Sequence, residues 1–262
     1  MPANTKAQAD WHALLLSAAR LQHEVRGSVL VGGAAVALQA GHRYSTDADH
    51  VVTDLMSRYP HVCRHLESVD GWVAARFAPP VVILGSLDGQ AAGVRQLRRT
   101  VPLETQTIFY AGQPLCVPTY YELMRIKAFL VLDRNYTRDY VDFLALAAPL
   151  EQEDIEAALS TLDNLYGQLA VAWRSGKGLL YDLGTALRKA EPKDAHKRDF
   201  TYFEAMDPDR QPWDLARIRR EGPPMGDRIL TLWAQLDDDR RDADTPEAKL
   251  PRDRPNPYSG MF

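Results

Sequence analysis

Apolar side chains recur at helical spacing over residues 8–25, where Trp11, Leu14, Leu15, Ala18 and Leu21 form one face. The period then changes. Ser28 to Val31 is a short run with Val29 and Val31 as its β-branched part, and it stops at Gly32-Gly33. Ala34 to Ala40 is rich in Ala and Leu and predicts a helix closed by Gly41. Asp47 to Thr53 returns to a strand around Val51 and Val52, followed by a helix over 54–68. Val81 to Leu84 predicts another strand, Asp88-Gly89 a turn, Val94 to Arg98 its hairpin partner, and Thr105 to Phe109 a further strand.

Beyond Pro118 the pattern is helical. Thr119 with Glu122 three residues on makes a capping box for a helix running to about Leu132. Asp133-Arg134-Asn135 breaks it, Thr137 caps a second helix through Ala148, and Pro149 ends that one. A third helix from Gln152 or Asp154 carries Ile155, Leu159, Leu162 and Leu165, with more helix to about Leu187. Residues 188–197 are a charged loop. Residues 213–237 are helical with a break at Gly222-Pro223-Pro224, a stretch that disfavours helix. The tail from Asp238 is polar and Pro-rich, and is expected to be poorly ordered. The expected fold class is α/β (α+β): a mixed central sheet with flanking helices over residues 1–149, a helical C-terminal region over 150–237, and a tail over 238–262.

Composition narrows the partners. The chain has 262 residues, 45% hydrophobic and 25% charged, as in soluble globular proteins. A net charge of -4 argues against nucleic-acid binding through bulk charge, so a local patch would have to do it. Arg95, Arg98 and Arg99 form one candidate, and Arg217, Arg219 and Arg220 another; for either alone, solvated surface arginines are the simpler reading. Cys63 and Cys116 form no CxxC pair and read as buried free thiols of a reducing compartment. No signal peptide is visible, and no run approaches the roughly 20 apolar residues of a membrane span. The expectation is a cytoplasmic protein with no membrane partner.

Candidate chemistry concentrates between Val29 and Val52. A strand delivers the chain to Gly32-Gly33, and a helix follows at once, so backbone N–H groups at a helix N-terminus face whatever approaches. This is a phosphate cradle in outline, although by itself it is also what a tight turn looks like. Asp47 and Asp49 fall on one face of a strand, about 7 Å apart. Two carboxylates so placed repel, and a hard divalent cation relieves them. Such a platform can hold two metal ions roughly 4 Å apart for in-line phosphoryl displacement. A lone Asp-x-Asp is often a surface turn, but here it follows the glycine pair by a helix length, with Arg43 and Ser45 just before it.

Gly-Gly, nine residues, then Arg-x-Ser-x-Asp-x-Asp resembles the signature of the DNA polymerase beta-type nucleotidyltransferase superfamily, and within it the AbiEii/AbiGii-type toxin nucleotidyltransferases. The resemblance continues through an inward lysine, Lys127, to an Arg-Asp-x-x-Asp pattern at Arg138, Asp139 and Asp142, with Arg134 in the turn between, and covers roughly residues 28–148. It implies a nucleotidyltransferase-type sheet and transfer of a nucleoside monophosphate from an NTP to an acceptor hydroxyl. Mg²⁺ or Mn²⁺ would sit at Asp47 and Asp49. Gly32, Gly33 and Ser45 would hold the β- and γ-phosphates, and Lys127 would neutralise the triphosphate. Arg43 would fix the loop or touch phosphate, and Asp139 would belong to the nucleotide site. Such proteins act as toxins, some on tRNA 3′ ends, so RNA or tRNA and an antitoxin protein are the implied partners.

Two points stay open at the level of sequence. Lys127, among Ile126, Phe129 and Leu130, needs an anion if buried; either the triphosphate or Asp139 or Asp142 would serve. The superfamily's third carboxylate, expected on a neighbouring strand, aligns with Gln96 in Gly93-Val94-Arg95-Gln96-Leu97, while Asp88 and Glu104 lie nearby without a clear register. That departure favours an alternative, a degenerate nucleotidyltransferase that binds NTP or a protein without turnover. His42 and His50 flank the motif, with no metal-site spacing between them.

Overall fold

The computed structural model describes residues 5–169, 175–197, 200, 203–207, 209 and 211–244. The first helix, α1 (Thr5–Glu24), leads into β1 (Val29–Val31), α2 (Gly32–Ala40), β2 (Asp47–Val52) and α3 (Leu55–Glu67). A meander follows: β3 (Trp72–Ala78), β4 (Val82–Leu87) and β5 (Gln90–Gln96). The hairpin β6 (Thr105–Tyr110) and β7 (Gln113–Pro118) stands apart as a two-stranded sheet. The remaining helices are α4 (Tyr120–Arg134), α5 (Thr137–Ala147), α6 (Gln152–Leu159), α7 (Leu162–Tyr166), α8 (Leu179–Lys189) and α9 (Leu215–Asp244). The protein is therefore a mixed α/β fold with a mixed sheet and flanking helices.

The central sheet has the order β1-β2-β5-β4-β3. Only the β2–β5 pairing in it is parallel, with Asp49 opposite Gly93 and Val51 opposite Arg95. Period-two alternation sends Val52, Ile83, Leu87, Ala92 and Val94 to one face, where they bury against Leu21 and Val25 of α1 and Leu55, Tyr59 and Leu66 of α3. Each large aliphatic buried there contributes about 1.5–3 kcal/mol. The other face carries Asp47, Asp49 and Arg95 and stays partly exposed. A second, larger core runs from Trp11 and Leu15 of α1 through Leu123 and Val131 of α4 and Phe143 and Leu146 of α5 to Leu187, Ile229 and Leu232 of α8 and α9.

Several sequence expectations are corrected. The hairpin partner after Asp88-Gly89 is Gln90–Gln96, earlier than Val94–Arg98. β3 and β7 were not foreseen: β3 is exposed along most of its length and lacks alternation, and β7 carries prolines at its second and last positions that read as punctuation. Thr119 does cap α4, its hydroxyl accepting from Glu122 N, but the N-cap of α5 is Tyr136. Thr137 instead donates through its N–H and its hydroxyl to Asp194 Oδ1. Helix does not run on from Leu165 to Leu187: α7 ends at Tyr166, residues 175–178 are non-helical before α8, and 170–174 lie outside the described residues.

The expected break at Gly222-Pro223-Pro224 is absent, and α9 passes through it. The reason is packing on α8: a Cβ on Gly222 would lie 2.8 Å from Leu187 O, and one on Gly226 2.6 Å from Gly184 O. Backbones that close gain dispersion contacts along their length, which offset the hydrogen bonds the prolines forgo. α9 also takes in 238–244; the rest of the expected polar tail, 245–262, lies outside the described residues.

Cys63 and Cys116 are free and half-buried. No helix among the described residues is long and apolar enough to cross a membrane. Of the two arginine groups, Arg98, Arg219 and Arg220 are exposed, while others are tied to acids or rings. Arg99 is buried on Glu122, Arg98 pairs with Asp133, and Arg217 stacks on Trp213 and pairs with Glu221.

Candidate active site

β1 ends in a left-handed turn at Gly32, φ +72°, which a side chain would strain. α2 starts there with no side-chain cap at Val31, so its first N–H groups are not claimed by an N-cap side chain. Gly33 is required by its surroundings. A Cβ there would meet Arg43 Nη2 at 2.6 Å and Ser45 Oγ at 3.1 Å. The glycine pair, Arg43 and Ser45 are thus brought into one cluster. Ser45 Oγ donates toward Asp47 Oδ1 at 3.2 Å, linking that cluster to the carboxylates. Asp49 sits beside Gly32 on the partly exposed face of the sheet, with 28% of its side chain accessible.

Behind the turn lies a buried ionic network. Asp142 is its centre: Arg43 Nε donates to Oδ1 at 2.9 Å and Nη2 to Oδ2 at 3.2 Å, His42 Nε2 lies 2.8 Å from Oδ1, and Lys127 Nζ lies 2.7 Å from Oδ2. Asp139 Oδ1 takes Arg134 at 2.9 Å and Lys127 at 3.5 Å. Burial alone would raise the Asp142 carboxyl; the neighbouring Arg43, Lys127 and His42 hold it well below the usual carboxylate range. Burial pushes His42 down, against its bond to Asp142. Lys127 is 2% exposed and lies against the carboxylates of Asp142 and Asp139. Arg43 also stacks over Phe203 at 5.5 Å. His42, which flanks the motif in sequence, is turned inward onto Asp142; Phe203 is a site neighbour the sequence did not mark, because its proximity depends on how residues after α8 fold back.

The third-carboxylate position is resolved differently from the sequence alignment. Gln96 aligns with Val52, on the opposite side of the sheet from Asp49. Its amide is structural: Oε1 accepts from Met56 N at 2.9 Å and Nε2 donates to Thr53 O at 2.8 Å, holding the entry to α3. Asp88 pairs with Arg20, and Glu104 with Arg125, so neither joins Asp47 and Asp49. The residue that does reach Asp49 is Arg95, with Nε 3.2 Å from Oδ1. No cluster of three or more His, Cys, Asp or Glu side chains suited to a metal occurs among the described residues. Asp47 and Asp49 fit one hard divalent ion of the kind that takes one or two carboxylates and completes its shell with substrate phosphates and water. They do not fit a closed all-protein cage.

No protein-family model matches the sequence. Among solved structures, the chain is similar to a protein of H. pylori proposed to be a nucleotidyltransferase, at 17% identity over 87% of this chain and 97% of that one, TM-score 0.47. It is also similar to the antibiotic-resistance factor ANT(2'')-Ia, at 12% identity over 62% and 95%, TM-score 0.45. A third is an antigenic nucleotidyltransferase-like protein from Paracoccidioides brasiliensis, at 15% identity over 60% and 88%, TM-score 0.43. Likeness at this level assigns neither activity nor residues. Over 70 residues, 26% of this chain, the sequence is 36% identical to the heme uptake protein MmpL11 of Mycobacterium tuberculosis and the probable transport protein MmpL11 of Mycobacterium bovis. The match spans 7% of those proteins, and their roles do not extend from it to this chain.

Proposed function

We propose that the chain is a nucleotidyltransferase that binds an NTP over the turn at Gly32-Gly33 and moves its nucleoside monophosphate to an acceptor hydroxyl. The observation that carries this reading is the pair Asp47 and Asp49 on the accessible sheet face, joined through Ser45 to an uncapped helix N-terminus. The N–H groups of α2 would take phosphate oxygens, with the helix dipole favouring the anion. Ser45 would add a hydroxyl donor. Arg43 would hold the turn from beneath, itself fixed by Asp142. Lys127 and Asp139 would belong to the nucleotide site through this network, setting the charge behind the turn rather than standing in solvent. Held at Asp47 and Asp49, a Mg²⁺ or Mn²⁺ ion would supply positive charge to the phosphates.

In the step itself, the acceptor oxygen bonds to the α-phosphorus. The bond from that phosphorus to the bridging oxygen breaks, pyrophosphate leaves with the electron pair, and the hydroxyl proton passes to water. Orientation and charge are what the chain contributes. From the resemblance of residues 28–148, the acceptor is an RNA hydroxyl such as a tRNA 3′ end, the chain acts in the cytoplasm as a toxin, and a protein antitoxin restrains it.

The test is label transfer from each of the four α-labelled NTPs to total RNA with Mg²⁺, with Asp47→Ala/Asp49→Ala in parallel. Labelling by the parent and none by the variant supports the enzyme; a labelled variant sinks it. The pairing of Arg95 with Asp49 favours a second reading, nucleotide binding without turnover. Under that reading the parent retains nucleotide but releases no pyrophosphate.

A further inference from the structure

On β5 the side chains that share a face with Asp49 are Ala91, Gly93 and Arg95. Position 93 is closed to any side chain: a Cβ there would stand 2.8 Å from Asp49 Oδ1 and 2.9 Å from Leu84 Cδ2. Position 95 holds a guanidinium instead of a carboxylate. It is 42% accessible, so it can swing between Asp49 and a ligand. Two divalent ions side by side need anionic oxygen ligands on both, and the carboxylates this face offers among the described residues are Asp47 and Asp49, set against a permanently charged monocation. Arginine does not deprotonate, and it pairs with phosphate through a planar fork.

We infer that Arg95 takes the place of a second divalent cation: the site accepts one divalent ion with the nucleotide, and Arg95 leaves Asp49 to pair with a phosphate oxygen. The inference rests on the nucleotide-binding reading above. Asp49 is thereby freed for the ion at the moment the anion arrives, which makes nucleotide and cation bind cooperatively. An isolated divalent ion must compete with Arg95 and binds weakly.

The experiment counts ions on the full chain. Free Mn²⁺ is followed by its EPR signal while Mn²⁺ is titrated in with the α,β-methylene analogues of ATP, GTP, CTP and UTP. One Mn²⁺ per bound analogue is expected. Arg95→Ala, folded by circular dichroism, should lose roughly tenfold or more in analogue affinity, as for a charge-assisted bond. Arg95→Lys should recover part of that loss. Arg95→Asp, which installs the missing carboxylate, should take up a second Mn²⁺. Two Mn²⁺ per analogue on the parent, or undiminished analogue affinity in Arg95→Ala, overturns the inference and leaves nucleotide binding intact. No analogue bound by the parent overturns both.

Discussion

Replacing Asp142 by Asn keeps the shape of the side chain and removes one negative charge from a site with no access to water. In the parent, Asp142 is wholly buried and receives Arg43, Lys127 and His42, while Asp139 shares Lys127 and takes Arg134. After the substitution, a single carboxylate faces those cations, and the amide keeps one acceptor oxygen where Arg43 had two, so one bond of its fork is lost and an NH2 group is set against the cations. Removing one partner of a buried ion pair costs about 3–5 kcal/mol, because the remaining charge stays desolvated. For a domain of this size each kcal/mol lowers the Tm by about 2–4 °C, so the midpoint should fall by roughly 6–20 °C. Lys127→Met should cost less, since Asp142 keeps Arg43 and His42. The assay is urea and thermal unfolding of parent and both variants, followed by circular dichroism. An Asp142→Asn midpoint within about 2 °C of the parent, or a larger loss in Lys127→Met, would refute the claim that Asp142 is the hub.

Three further outcomes are expected. Gly33→Ala places a methyl against Arg43 Nη2 and Ser45 Oγ, so it should destabilise by about 1–3 kcal/mol and weaken nucleotide binding; unchanged stability in a urea melt would mean the turn has room. His50 is buried, and burial lowers it to about 4, so on acidification the unfolded chain takes up a proton near its ordinary value while the folded chain does not. Unfolding free energy should therefore drop by roughly 3 kcal/mol between about pH 6.5 and 4 in a chelator, with His42 adding in the same direction. Asp142 adds a further loss at lower pH, as acidification goes through its depressed folded value. Urea melts of the parent and His50→Leu test this, and equal slopes in the two would sink the assignment to His50. Gly226→Leu drives a side chain into α8 and should cost more than about 3 kcal/mol; a variant as stable as the parent would show that the helices are not in backbone contact.

Much of the local structure was legible. Helical spacing marked α1, α4 and α5, the glycine pair marked the end of β1, and the Asp88-Gly89 turn marked the β4–β5 hairpin. These depend on neighbours a few residues apart, whose sterics and hydrogen bonds are written into the chain itself. Asp47 and Asp49 sharing a face follows from the same local alternation. What the sequence could not supply was the register between β2 and β5. Parallel strands joined by a long crossover carry no turn that counts residues, and one step of slip exchanges Gln96 for Arg95 on the face of Asp49. Nor could it place Lys127 against Asp142, or let α9 run through Gly222-Pro223-Pro224. Both depend on which surfaces close together in three dimensions, where desolvation and close packing outweigh local preference.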